Sequence, residues 1–319
     1  MTAGAPPRTR GFAGRDGIPL TANVWGEACA PPLLLLHGGG QTRHAWDRTG
    51  PRLATLGWQV IAPDLRGHGT SAWSPDGDYD LGLFADDVRA VIAELGGLGG
   101  ADGPGHRPVL VGASLGGLSA LLAAGEAPRA AIRALVLVDV AHRPDPRGAR
   151  RIVEFMRGRP DGFTTVAEAA AAVSAYLPHR PRPDDEEAGL RNNLRRHGGR
   201  WVWHWDPRML DSFEGRMDPP GMAERLLDAA RRTDAPILLV RGGSSDVVRE
   251  DIADEFCARV PHARRVDVSG AGHMVAGDRN DHFIDAIVPF LEPFGAPPAQ
   301  PLNDPSSGPS SDPSAEGAR

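Results

Sequence analysis

Residues 109–125 read VLVGASLGGLSALLAAG and carry a Gly-x-Ser-x-Gly pattern between an apolar run and a stretch with helical spacing. So sharp a turn from strand to helix needs residues without side chains two positions either side of Ser114. The turn also strains the backbone of Ser114 and lifts its hydroxyl above the sheet edge, at the start of the helix. We interpret Ser114 as a candidate nucleophile, the alternative being a serine that only caps the helix.

Short apolar runs recur on both sides of this motif, each bounded by Gly, Pro or Asp. We interpret them as buried strands, at residues 33–36, 58–62, 109–111, 134–138, 236–240 and 264–268. Stretches with helical spacing lie between them, at residues 81–95, 115–125 and 249–260. This alternation predicts an α/β protein with a mostly parallel central sheet that helices cover on both faces. Residues 17–26 are expected to add an antiparallel strand at the edge of the sheet.

The alternation stops between about residues 142 and 233, where short helical patterns alternate with turns rich in Pro and Arg and no strand is predicted. We expect this segment to be a helical lid between two parts of the core, residues 11–141 and 234–294. The first ten residues are expected to be a flexible N-terminus. Residues 295–319, rich in Pro, Ser and Gly, are expected to form a disordered tail because they cannot bury enough apolar surface to fold.

Three tryptophans, Trp201, Trp203 and Trp205, fall within five residues of this expected lid. Such a cluster forms either the small core of the lid or the wall of an apolar pocket beneath it. We treat the three side chains as candidate substrate-binding residues.

Composition argues against several other functions. The formal net charge is −6 and the charges are interspersed, so no nucleic-acid surface is predicted. No apolar run reaches the roughly 20 residues of a membrane span, and no secretory signal is recognised. With two cysteines and no disulfide framework, we expect a cytoplasmic protein that does not associate with membranes. Because every basic residue is Arg, Schiff-base chemistry on Lys is excluded.

Residues 33–40, LLLLHGGG, form a buried strand signal that runs into a cluster of glycines. Glycines let the backbone come very close to a bound group. Acyl transfer requires two N–H donors aimed at the oxygen that becomes negative, and the backbone N–H groups of Gly39 and Leu115 are the candidates for this oxyanion hole. A phosphate-binding loop is the alternative, but the segment lacks the G-x-G-x-x-G spacing of a dinucleotide site.

The candidate general base is His273, which lies in the glycine-flanked loop that follows the last predicted strand. Two acids that could orient it also follow strands, Asp246 and Asp139, and either gives the chain order Ser, Asp, His. We favour Asp246 because its strand directly precedes the one that leads to His273. Asp139 is the alternative acid, unless it caps a turn or pairs with Arg143.

Together these motifs resemble the α/β-hydrolase superfamily over about residues 11–294. Residues 62–71, APDLRGHGTS, also resemble the D-x-R-G-x-G-x-S loop of epoxide hydrolases, haloalkane dehalogenases, cofactor-free haloperoxidases and carbon–carbon bond hydrolases, in which this loop is mainly structural. The resemblance implies that Ser114 is the nucleophile, Asp246 the acid and His273 the base. It also implies that Gly39 and Leu115 are the oxyanion donors.

The chain departs from this family pattern in two places. Many relatives carry the acid where this chain has Ser245, and some at the position of Asp139, which leaves the acid open. Resemblance to epoxide hydrolases or haloalkane dehalogenases would imply a carboxylate at the position of Ser114. Resemblance to epoxide hydrolases would also imply two tyrosines in the lid. This chain has only Tyr79 and Tyr176, so both activities are disfavoured.

The expected reaction is hydrolysis of a carboxylic ester or lactone of a small molecule through an acyl-enzyme, without a cofactor or a metal. Carbon–carbon bond or amide hydrolysis and cofactor-free haloperoxidase or perhydrolase chemistry use the same residues and are alternatives. Two non-enzyme alternatives are a ligand-binding receptor on the same fold and an interaction protein acting through the tail. The sequence carries no signal for an oligomeric state.

Overall fold

The computed structural model of the protein describes residues 6–96, 107–126, 131–178, 186–214 and 221–295. The strands of these ranges are β1 (Arg8–Ala13), β2 (Pro19–Trp25), β3 (Pro32–Leu36), β4 (Gln59–Pro63), β5 (Val109–Ala113), β6 (Ala134–Val138), β7 (Leu194–His197), β8 (Arg200–Trp203), β9 (Ile237–Gly242) and β10 (Ala263–Val268). The α-helices are α1 (Gly50–Thr55), α2 (Leu81–Glu94), α3 (Leu115–Gly125), α4 (Pro146–Arg157), α5 (Val166–Tyr176), α6 (Glu186–Arg191), α7 (Arg208–Glu214), α8 (Met222–Arg232), α9 (Glu250–Arg259), α10 (Val275–Asp278) and α11 (Asn280–Leu291).

Eight of the strands form one sheet in the order β1-β2-β4-β3-β5-β6-β9-β10. The six strands from β4 to β10 in this order run parallel, whereas β2 is antiparallel to β4 and β1 is antiparallel to β2. The predicted α/β fold with a mostly parallel sheet is therefore confirmed. The prediction of an edge strand at residues 17–26 is wrong in one respect, because β1 lies outside β2. Residues 8–10, expected to be flexible, pair with β2 as part of β1.

Helices cover both faces of the sheet, which explains why its parallel strands are continuous apolar runs. Because successive side chains of a strand point to opposite faces, Leu34 and Leu36 pack in one core cluster while Leu33 and Leu35 pack in the other. The first cluster includes residues of α2, α3, α8 and α9, and the second includes residues of α1 and α11. In this arrangement of one sheet between two layers of helices, the carboxyl ends of the parallel strands lie along one edge of the sheet.

The segment expected to be a helical lid also contains strands, so the prediction of helices alone is wrong. Strands β7 and β8 form an antiparallel hairpin in which His197 pairs with Arg200. The two residues between them, Gly198 and Gly199, have φ of 55° and 79°. A two-residue turn with positive φ at both positions suits a tight hairpin, and two adjacent glycines are its sequence signal.

Helix α8 belongs to the core, although the expected lid boundary at residue 233 would place it in the lid. Its residues Leu226 and Leu227 are buried in the core cluster. At Gly125 of α3, a Cβ atom would lie 2.2 Å from the carbonyl oxygen of Ala229, so the two helices touch backbone to backbone. We therefore use the term insertion for residues 142–214. The expected tail lies outside the described residues from position 296 onward.

None of the helices in the described ranges combines the length and the apolar character that a membrane crossing requires.

Candidate active site

Ser114 occupies a strained turn between β5 and α3. Its backbone angles are φ 46° and ψ −117°, a region that residues with a side chain rarely adopt. Its side chain makes no capping hydrogen bond to α3, in the part of the chain that the structure describes, so the helix-capping alternative is not supported. The predicted strained turn is confirmed.

The two glycines of the motif are required by close backbone contacts. A Cβ atom at Gly112 would lie 2.5 Å from the carbonyl oxygen of Gly116. A Cβ atom at Gly116 would lie 2.5 Å from the carbonyl oxygen of Leu36 and 2.6 Å from that of His37. Since both contacts are with backbone, a side chain at either position would push α3 away from the sheet. The serine is thus fixed between three closely packed segments.

His273 and Asp139 form a hydrogen-bonded pair. Nδ1 of His273 lies 2.7 Å from Oδ2 of Asp139, and the two side chains are 13% and 0% exposed. The other oxygen of Asp139 accepts a 2.8 Å bond from the N–H of Gly242, and the hydroxyl of Ser245 donates to Oδ2. A buried carboxylate with three donors is well suited to orient an imidazole.

Asp246 does not contact His273, and the expectation that favoured it over Asp139 is wrong. Its carboxylate is 44% exposed and lies 2.9 Å from Nη2 of Arg151 in α4. The reason is the turn after β9, in which the hydroxyl of Ser245 accepts bonds from the N–H groups of the residues two and three positions later. This turn aims Ser245 at Asp139 and directs Asp246 toward the insertion.

The glycine loop, consisting of Gly38, Gly39 and Gly40, lies beside the serine. A Cβ atom on its first residue would be 3.4 Å from Cβ of Ser114. The N–H groups of the first and third glycines donate within the protein, at 2.8 and 3.1 Å. Among the described residues, the N–H of the second has no hydrogen-bond partner. Leu115 is the first residue of α3, so its N–H has no partner within the helix.

A cavity of about 670 Å³ brings these groups together. It is bordered by Ser114, Leu115, Gly39 and His273, which come from three loops or turns at the carboxyl ends of β5, β3 and β10. The insertion supplies much of the apolar wall, through Ile152, Val153, Phe155, Met156, Val173, Tyr176, Leu190, Trp203 and Trp205. The volume and the apolar lining are typical of a site for a small organic molecule.

The three candidate tryptophans separate into two groups. Trp203 and Trp205 border the cavity and stack on each other, with ring centroids 4.9 Å apart. Trp201 does not border it and lies nearer the hairpin turn, where the guanidinium groups of Arg191 and Arg196 lie 5.5 and 4.8 Å from its ring. The expectation that Trp201 contributes to the pocket is therefore wrong.

Three histidines are buried around the glycine loop. Burial lowers the pKa of His37, lowers the pKa of His68 to about 3 and holds the pKa of His204 well below 6.5. All three imidazoles are neutral near pH 7.

The loop at residues 62–71 is held by buried ion pairs, which fits the structural role that the resemblance implies. Asp64 accepts from the N–H groups of Arg43 and Thr70 at 2.6 and 2.9 Å and pairs with the Arg43 guanidinium. Arg66 makes two 2.6 Å bonds to Asp87 in α2.

Comparisons with known proteins show the family of the chain. The family described as "alpha/beta hydrolase fold" matches residues 31–279. Esterase Rv0045c of Mycobacterium tuberculosis is 35% identical over 276 residues, which cover 84% of this chain and 85% of the esterase. An sn-1-specific diacylglycerol lipase of Mus musculus is 29% identical over 299 residues, covering 86% of this chain and 85% of the lipase.

A crystal structure of the Mycobacterium tuberculosis esterase superposes on the chain with a TM-score of 0.69 and 33% sequence identity. The match covers 91% of this chain and 92% of that one. From its sequence and its fold, the chain belongs to the α/β-hydrolase fold family.

Proposed function

We propose that the protein hydrolyses carboxylic esters or lactones of small molecules through an acyl-enzyme, with Ser114 as nucleophile, His273 as general base and Asp139 as the orienting acid. The observation that carries the proposal is the 2.7 Å bond between His273 and the buried Asp139, in a cavity that Ser114 also borders. Similarity to an esterase and a lipase supports ester substrates.

In the proposed reaction, Oγ of Ser114 attacks the carbonyl carbon while Nε2 of His273 takes the hydroxyl proton. Asp139 accepts a hydrogen bond from Nδ1–H, which keeps Nε2 free to act as the base and stabilises the imidazolium that forms. His273 then gives the proton to the departing alcohol oxygen. The product of this first half is an acyl ester of Ser114.

Water completes the cycle in the proposed second half. His273 takes a proton from the water, whose oxygen attacks the acyl carbon, and returns a proton to Oγ as the acid is released. In both halves the carbonyl oxygen becomes negative, and the N–H groups of Gly39 and Leu115 are the proposed donors that stabilise it.

The apolar wall of the cavity favours an acyl group of medium length, since burial of apolar surface there strengthens binding. The insertion is the proposed lid, because its residues Met156 and Trp205 pack directly above Gly40. Lid and glycine loop together enclose the proposed reacting carbon.

The proposal is tested with a panel of esters from acetate to dodecanoate, matching lactones and matching amides. We expect esters or lactones to be hydrolysed faster than amides, and Ser114→Ala to lose nearly all turnover. Ser119→Ala is the matched control, because Ser119 lies buried in α3 and its hydroxyl donates only to the Leu115 carbonyl. Undiminished turnover by Ser114→Ala, or no hydrolysis of any ester or lactone by the wild type, would contradict the proposal.

A further inference from the structure

Beside one backbone bond, from the N–H of Gln41 to the carbonyl of Gly38 at 3.1 Å, side chains orient the glycine loop. His37 donates from Nδ1 to the carbonyl of Gly38 at 2.8 Å, and His68 accepts at Nε2 from the N–H of Gly40 at 3.1 Å. In a planar trans peptide the C=O and N–H point in opposite directions. The first bond therefore directs the N–H of Gly39 away from His37, and the second fixes the next peptide along the chain.

His204 holds the third peptide of this loop, and it comes from the insertion. Its Nδ1 accepts a 2.7 Å bond from the N–H of Gly69, so the ring hydrogen is on Nε2. That Nε2–H donates to the carbonyl of Gly40 at 3.3 Å. One imidazole thus connects the insertion, the loop at residues 62–71 and the glycine loop.

The position of His204 indicates that it acts through the loop and not on a bound molecule. The residue is 2% exposed and does not border the cavity, whereas its neighbour Trp205 does. Its ring packs edge to face against Trp205, with centroids 5.3 Å apart. Because the imidazole is neutral, it can accept from Gly69 and donate to Gly40 at the same time, which a protonated ring could not do.

We propose that His204 is a positioning residue that couples the docking of the insertion to the assembly of the oxyanion hole. By holding the carbonyl of Gly40, it keeps the glycine loop in the orientation that presents the N–H of Gly39 to the reacting oxygen. The inference rests on the proposed function. Movement of the insertion away from the core would break this bond and disorganise the hole.

Two polar substitutions separate the two hydrogen bonds of His204. In His204→Asn, the amide lies where Nδ1 lies, so it keeps the bond from Gly69 and cannot reach Gly40. In His204→Gln, the amide reaches the position of Nε2, so it keeps the bond to Gly40. We expect His204→Asn to lower kcat by about tenfold to a hundredfold, approaching the effect of losing one oxyanion donor. KM should change by less than about threefold, and His204→Gln should retain most of the kcat.

The second readout is affinity for a boronic acid or trifluoromethyl ketone that forms a tetrahedral adduct with the active-site serine. For His204→Asn this affinity should fall in parallel with kcat, whereas inhibition by a product-like carboxylic acid should stay unchanged. Val91→Ala, a buried substitution in α2, controls for lost stability, because it should lower Tm without changing kcat or analogue affinity.

Equal kcat and analogue affinity in His204→Asn and the wild type would overturn the inference, as would a larger loss in His204→Gln than in His204→Asn. Failure of the proposed function is distinguishable, because Ser114→Ala would then keep the wild-type turnover. The inference is judged on an enzyme whose turnover depends on Ser114.

Discussion

Nδ1 of His273 lies 2.7 Å from Oδ2 of Asp139, although 134 positions separate the two residues in the chain. The same oxygen accepts the hydroxyl of Ser245, and the other accepts the N–H of Gly242. The carboxylate is buried and its two oxygens are occupied, so its orientation is fixed before any substrate binds. Loss of a hydrogen bond to Asp139 should therefore also weaken the orientation of His273.

Asp139→Asn should lower kcat by about 10⁴, the loss that this change causes in a well-studied serine protease triad. An Asn keeps the shape of the side chain, but it favours the wrong imidazole tautomer and cannot stabilise the imidazolium. Asp246→Asn is the matched control and should change kcat little, because Asp246 pairs with Arg151 at the surface. Steady-state kinetics with Tm for both variants decides the point. If Asp246→Asn loses activity while Asp139→Asn keeps it, Asp246 is the acid that orients His273.

Ser245→Ala should destabilise the fold by about 1 to 3 kcal/mol, since its hydroxyl bonds a buried carboxylate. It should also reduce kcat, but by less than Asp139→Asn does, because Gly242 and His273 continue to hold the acid. Ser244→Ala, an exposed neighbour, is the control and should change neither quantity. Urea unfolding and kcat are the measurements. If Ser245→Ala has the wild-type stability and the wild-type kcat, the hydroxyl of Ser245 contributes neither to stability nor to the orientation of Asp139.

The sheet and the strained turn at Ser114 could be predicted from the sequence because both depend on local signals. Continuous apolar strands require two covered faces, and the pattern around Ser114 requires a tight turn that the structure has. The acid could not be decided this way, because Asp139 and Asp246 both follow strands. Only the turn at Ser245 determines which of the two faces His273.

Strand β1, the hairpin of β7 and β8 and the contact between His204 and Gly40 were not predicted from the sequence. Strand β1 is polar and lacks the apolar run that indicated the buried parallel strands, and among the described residues it pairs with β2 alone. The adjacent glycines between β7 and β8 are a signal for a hairpin turn. The expectation of a purely helical insertion overlooked this signal. The bond from His204 to Gly40 spans 164 positions and depends on how the insertion packs, for which the sequence has no local signal.

Trp203→Leu should shift the preferred acyl chain toward greater length, because the smaller side chain leaves more room in the cavity. In the wild type, kcat/KM should rise by about fourfold for each added methylene until the pocket is full, which corresponds to about 0.8 kcal/mol each. The matched control is Trp201→Leu, which should keep the wild-type preference because Trp201 does not border the cavity. The ester series measures both. If the chain-length preference of Trp203→Leu is unchanged, Trp203 packs in the core of the insertion and does not limit the length of the acyl chain.

The free energy of unfolding should fall as the pH drops below about 6.5. Burial lowers the pKa of His37, His68 and His204 in the folded protein, whereas the unfolded chain has imidazoles near 6.5. Below that pH the unfolded chain binds protons that the folded chain does not, so stability falls by up to about 1.4 kcal/mol per pH unit for each imidazole that is still neutral in the folded protein. For His68 the loss continues down to about pH 3 and is absent well above pH 6.5.

Urea unfolding at several pH values between about 6.5 and 5 measures this slope. His68→Gln should reduce the slope by about one proton, because it removes one buried imidazole. A stability that does not change over this pH range would contradict neutral burial of the three histidines.

The most direct test of the central claim is a fluorophosphonate probe followed by intact mass and peptide mapping. A hydroxyl activated by a base displaces fluoride from the phosphorus and keeps the phosphonate as a stable ester. The account predicts a single adduct, located on Ser114, that forms rapidly in the wild type and far more slowly in His273→Ala and Asp139→Asn. An adduct on another serine, or no adduct on the folded protein, would contradict it.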